Sequence, residues 1–234
     1  MDLNSIVLVA FYIIILIYSI VIHEVMHGWV AFWLGDSTAK YAERLNFNPL
    51  KHVDPMGSIL VPLAMISMGT GFIFGWAKPV PYNPFNLKDQ KWGPLLVALG
   101  GPLSNLFLAL IAAIFAHFIS IPSSIKIKIL ENFKDWASLS ALIHGSAGSI
   151  IFILLAMVIF WNVLLAVFNL IPIPPLDGSK IFYALYPMKV ETMAFFEQYG
   201  FILLFGILFI DRQTFHMFGS ILSFAWSVFF SLAI

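Results

Sequence analysis

Five residues, His23-Glu24-Val25-Met26-His27, break into an apolar run that begins at Ile6 and carries no charged residue as far as Ile22. A run of that length reads as a membrane span, continuing on one helix to Leu34. Ionisable groups inside a span are expensive and point to function. His23 and His27 stand four apart, so they share a helix face and can both reach one metal ion. Glu24 sits beside them, where a general base is needed. The competing reading is a buried polar cluster that holds helices together.

The composition agrees with a membrane protein. Hydrophobic residues make up 61% and charged residues 10%, against about 25% charged in soluble domains. The net charge is zero, so nothing suggests a nucleic-acid partner. There is no cysteine, so any metal must be held by His, Asp or Glu. Asp2 stands where a signal peptide would be basic, and the N-terminal run reads as a retained span. Residues 1–234 read as one membrane-embedded domain, with a core over about 5–178 and additional helices over about 192–234.

The expected fold is an all-α polytopic membrane protein of five to six transmembrane helices, with a re-entrant or short β-containing segment near the active site. The apolar candidates are Ser5 to Leu34, Trp92 to Ile119, Gly145 to Leu170, Met193 to Ile210 and Phe215 to Ile234. Met56 to Phe74 is short and contains Gly57, Pro62, Gly69 and Gly71. If Asp177 reaches the same metal as His23 and His27, the span ends that carry them lie on one side. The segment from Gly35 to Lys91 then begins and ends on that side, and Met56 to Phe74 dips in and returns, sheltered by protein. Eight basic residues then fall on the active-site side and four on the other, which places the site toward the cytosol, with five full spans.

A catalytic zinc takes three protein ligands and keeps a fourth position open. Asp177 is the best candidate for the third. It follows the helix-breaking run Ile171-Pro-Ile-Pro-Pro-Leu, and Gly178 beside it permits a close approach. The alternative is a helix-ending turn with a solvated carboxylate. His52 is a rival third ligand, a group supporting the ligands from behind, or a loop histidine bonded to Asp54. Asn169 and Asn105 are candidates to contact substrate or an oxyanion; the alternative for each is a hydrogen bond between helices, and for Asn162 likewise. Gly100, Gly101 and Ser104 are small enough to let two helices approach closely.

HEVMH in the first span, GGPLSN at Gly100 to Asn105 and NLIPIPPLDG at Asn169 to Gly178 resemble the three signatures of site-2 proteases, in family order. FNPLKHVDPMGS at Phe47 to Ser58 and FGWAKPVP at Phe74 to Pro81 extend the resemblance, which is strongest to compact bacterial members without a PDZ domain. It implies one zinc ion per chain, with His23, His27 and Asp177 as ligands and Glu24 as general base. It implies an intramembrane endopeptidase acting on peptide bonds within or next to transmembrane segments of membrane proteins, in a bacterial cytoplasmic membrane. The substrate helix must unwind locally, and Ser37 to Phe47 is expected to offer an exposed strand edge to it. The alternatives are a zinc-binding transporter and a non-catalytic membrane scaffold. The residues do not specify a substrate or an oligomeric state.

Overall fold

The computed structural model of the protein describes residues 2–68, 75–133, 135–142, 146–186, 188–213 and 216–234. Its first helix, α1 (Leu3–Trp33), has 31 residues. At 1.5 Å per residue it is about 46 Å long, well beyond a hydrocarbon core of about 30 Å. It stops at Gly35, whose φ of +109° is the left-handed geometry of a helix C-terminus. The Asp36 amide reaches back to the Ala31 carbonyl at 2.9 Å, closing the motif.

The chain divides into two compact units, residues 20–101 and residues 1–19 with 102–234. In the 20–101 unit, Asp36 organises the chain beyond α1. Its carboxylate is fully buried. One oxygen accepts from the Thr38 amide, the Thr38 hydroxyl and the Asn86 side chain, and the other from the Asn83 amide at 2.7 Å. Burial pushes its pKa up, but these donors outweigh it and the net shift is downward. The Thr38 bonds start a helical turn, α2 (Thr38–Tyr41), which leads into a second turn through Glu43. The strand edge expected over Ser37 to Phe47 is therefore not formed at its N-terminal half.

Three Asx-Pro pairs set the loop geometry beyond α2. Asn48, Asp54 and Asn83 each accept a backbone N–H from the turn they open, with Pro49, Pro55 or Pro84 at its first position. Pro55–Leu60 is a π-helical turn that runs into α3 (Val61–Ser67). Together they are too short to span a bilayer; the remainder of the expected re-entrant segment, residues 69–74, lies outside the described residues. From Gly75 to Tyr82 the chain has no regular structure. The amides of Trp76 and Lys78 bond to the carbonyls of Gly57 and His52. No strand occurs among the described residues. The β alternative fails here because Pro79 and Pro81 bring no N–H to a ladder. The unit closes with the first half of α4 (Gly93–His117).

In the other unit α4 continues and leads to two short helices, α5 (Ser123–Glu131) and α6 (Trp136–Leu142), where the sequence suggests only a connection. α7 (Ala147–Asn169) puts Phe152, Ile153, Met157, Ile159 and Val163 in the core. Ala109, Ala112, Ala113 and Ala116 line the buried stripe of α4 at helical spacing. Small side chains of this kind let backbones approach where lipid gives no hydrophobic drive. A polar knot lies in the same unit. Asn105 Nδ2 donates to Asn162 Oδ1 at 2.7 Å and to the Ser19 carbonyl, while Asn162 Nδ2 donates to Ser19 Oγ at 2.9 Å. Lys126 on α5 is buried and donates to the last carbonyls of α4 and to Ala233, a cation placed at two helix C-termini; burial lowers its pKa.

After α7 come α8 (Ser179–Leu185), α9 (Val190–Gln213) and α10 (Met217–Ala233). Among the described residues four helices are long and apolar enough to cross a membrane: α1, α4, α7 and Glu191–Asp211 of α9. The fifth expected crossing, α10, has 17 residues and falls short of that length. Asp211 explains where it starts, since its carboxylate accepts the Met217 and Phe218 amides.

Replacing Asn162 by Ala should destabilise the detergent-solubilised protein by about 1–3 kcal/mol, because it leaves buried partners unmatched. Equilibrium unfolding of the N105A and N162A single and double variants checks this. The double variant should lose clearly less than the sum of the two, as expected of one network.

Candidate metal centre

The site is built on the second half of α1. His23 is buried, and Glu24 and His27 are partly buried. The two imidazole centroids lie 4.7 Å apart with their planes at 88°. His27 Nδ1 lies 2.8 Å from the Val97 carbonyl of α4. A carbonyl only accepts, so Nδ1 carries the proton, and Nε2 is the nitrogen equipped to bind a metal.

Glycine makes this approach possible. A Cβ on Gly101 would stand 2.5 Å from His27 Nε2 and 2.6 Å from His23 Nε2. A Cβ on Gly100 would meet the Val30 side chain at 2.9 Å and the Met26 carbonyl at 3.1 Å. The close approach expected of this doublet is present, and Gly101 also packs directly on the two imidazoles. Glu24 is held from a different direction: the Val80 amide donates to its Oε2 at 3.0 Å. Val80 seats against α1 at Gly28, where a Cβ would meet it at 2.8 Å.

Asp177 sits in the turn after α7. The Gly178 amide donates to the Asn169 carbonyl at 2.7 Å. A Cβ on Gly178 would stand 2.3 Å from the Leu170 carbonyl, so only glycine lets the chain fold back so tightly over the helix end. α9 supports the same turn: a Cβ on Gly200 would meet the Pro174 carbonyl at 2.3 Å, and Lys180 pairs with Glu197. These supports are not legible in sequence, because they depend on which face α9 presents. His23 and His27 on α1 offer two imidazole donors, and Asp177 in the turn after α7 offers a carboxylate. Two imidazoles and one carboxylate suit zinc with an open fourth position.

The other candidates fall elsewhere. The Asn105 amide nitrogen is directed into the knot with Asn162 and Ser19. Asn169 donates back to the Leu165 carbonyl one turn earlier. His52 is buried and bonds to the Asn46 carbonyl and to Arg44, not to Asp54. Asp54 instead caps the Pro55 turn through the Met56 and Gly57 amides.

The sequence profile described as peptidase family M50 matches residues 11–210. The chain is 35% identical over 209 residues to "Putative zinc metalloprotease YwhC" of Bacillus subtilis (strain 168), covering 87% of this chain and 81% of that one. It is 26% identical over 191 residues to "Putative zinc metalloprotease Rip2" of Mycolicibacterium smegmatis (strain ATCC 700084 / mc(2)155), covering 81% and 63% respectively. No solved structure matches the chain significantly.

Substituting Gly101 by Ala should push a methyl group into both imidazoles. Zinc affinity should fall about 10- to 100-fold, the range for groups that orient metal ligands. Competition with a chromogenic chelator, with Gly100→Ala as the neighbouring comparison, measures it.

Proposed function

Because this chain belongs to peptidase family M50, the site-2 proteases, and is a membrane zinc metalloprotease, we propose that it hydrolyses peptide bonds within or next to transmembrane segments of membrane proteins. In this reading His23, His27 and Asp177 hold zinc and Glu24 is the general base. The observation that carries it is the arrangement on α1. Glu24 follows directly on the first of two imidazoles packed on Gly101, and the second, His27, has its proton fixed on the far nitrogen by Val97.

Bound zinc would supply Lewis-acid polarisation of the scissile carbonyl and activation of water. The protein's own groups do the rest. Val97 keeps His27 in the tautomer that ligates. Val80 holds one oxygen of Glu24, so its carboxylate keeps one orientation for taking a proton from water and returning it to the leaving amine. Asn169, at the end of α7, is assigned to substrate contact, and Asn105 to holding helices together.

The substrate helix is expected to unwind before cleavage, because a helical peptide bond is hydrogen-bonded and shielded. We place the site on the cytosolic side of a bacterial cytoplasmic membrane, from the excess of basic residues in 35–91 and 178–189. In this arrangement Pro55–Ser67 is part of a re-entrant segment and α10 crosses with the help of its flanks.

Glu24→Gln should retain about one zinc per chain and lose at least about 100-fold in turnover. Asp177→Ala should lose the metal. Metal analysis beside cleavage of a single-span reporter in micelles measures both. A Glu24→Gln variant that cleaves normally would sink the protease reading. Altered zinc flux in proteoliposomes instead would favour a transporter.

A further inference from the structure

We propose that Arg44 is a positioning residue for Glu24: it clamps the segment Gly75–Tyr82 so that the Val80 amide holds the Glu24 carboxylate in one orientation. This inference rests on the reading of Glu24 as general base.

The clamp closes on Lys78 from two sides. Arg44 Nη2 donates to the Lys78 carbonyl at 2.6 Å. The Lys78 amide donates to the His52 carbonyl at 2.9 Å. His52 also aims the guanidinium. Its Nε2 lies 2.7 Å from the Asn46 carbonyl, which can only accept, so Nε2 carries the proton. Nδ1 is then an acceptor, and Arg44 Nη2 donates to it at 3.3 Å. Both peptide groups of Lys78 are thus held by one pair of buried residues. Pro79 comes next, with its φ fixed by the ring. Pinning Lys78 therefore pins Val80, whose N–H bonds to Glu24 Oε2 at 3.0 Å.

Folding alone does not explain this arginine. It is 7% exposed, and its Nε is buried without a hydrogen-bond partner among the described residues. A buried guanidinium with an unmatched N–H costs stability. Burial lowers its pKa, and the negative charge of Glu24 opposes that shift, so the cation is placed where it feels the carboxylate. Arg44 does not touch reacting atoms. Its effect passes through the backbone of Lys78 and Val80.

The test uses full-length, zinc-loaded protein in detergent as wild type, Arg44→Ala, Arg44→Lys and Glu24→Gln. Hydrogen exchange is followed at the Trp76, Lys78 and Val80 amides, and cleavage kinetics on β-casein, a disordered probe that needs no unwinding. Zinc content and melting are measured alongside. Arg44→Ala should keep its zinc and the protection of α1 and α4, but exchange faster over residues 75–82. Its kcat should fall about 10- to 100-fold with KM little changed. Arg44→Lys should recover part of both, since an ammonium can still donate to the Lys78 carbonyl. Glu24→Gln should lose turnover while Trp76 and Lys78 stay protected. Unchanged exchange in Arg44→Ala would overturn the clamp. So would faster exchange with full kcat, or a fall in activity that merely tracks lost zinc or lost folding in both Arg44 variants. A zinc-loaded wild type that cleaves nothing would overturn the protease reading itself, and with it this one.

Discussion

Everything at the metal centre depends on how closely α4 can approach the second half of α1. Two glycines permit it. Gly100 lies against the Met26 backbone and Gly101 against both imidazoles. That approach also brings the Val97 carbonyl within 2.8 Å of His27, and so fixes which nitrogen can bind metal. In a bilayer no hydrophobic force pulls two helices together. Close contact must come from small residues and from polar groups that find partners, and both are present along these helices.

The polar groups share one logic. Several buried ones are placed where they meet more than one donor or acceptor. Asp36 collects four donors and so fixes the chain leaving α1. Asn105, Asn162 and Ser19 satisfy one another. Lys126 gathers carbonyls at two helix ends. Among the described residues Arg44 Nε, Ser179 Oγ and the Tyr183 hydroxyl depart from this, each buried without a hydrogen-bond partner. Arg44 also grips the Lys78 carbonyl, two residues before the amide that bonds to Glu24.

Much of the fold and of the site is legible in the residues, and for definite reasons. The helices α1, α4, α7 and α9 follow from apolar runs of sufficient length, which leave the backbone no other way to satisfy itself in lipid. The pairing of the two imidazoles follows from the i, i+4 spacing of His23 and His27. The tight turn at Gly178 follows from prolines before it and a glycine within it. The failures also have causes. α5 and α6 are too short and too polar to announce themselves. The Ser37 segment coils because Asp36 captures Thr38, and the segment from Gly75 stays out of a ladder because of Pro79 and Pro81. Proximity along the chain pairs His52 with Asp54, whereas its partners are Asn46 and Arg44.

The sequence by itself determined that the chain is a helical membrane protein, that two imidazoles share one helix face, and that a carboxylate stands beside them. Those properties are local: they depend on hydropathy, on residue chemistry and on spacing along one helix. Only the tertiary structure decided which groups hold those residues in place. Val97 sets the His27 tautomer, Val80 orients Glu24, Gly200 backs the turn that carries Asp177, and Arg44 grips Lys78. Each is a backbone contact or a close approach between segments tens of residues apart. A backbone N–H or carbonyl is the same at every position, so no residue type marks in advance the one that will be used.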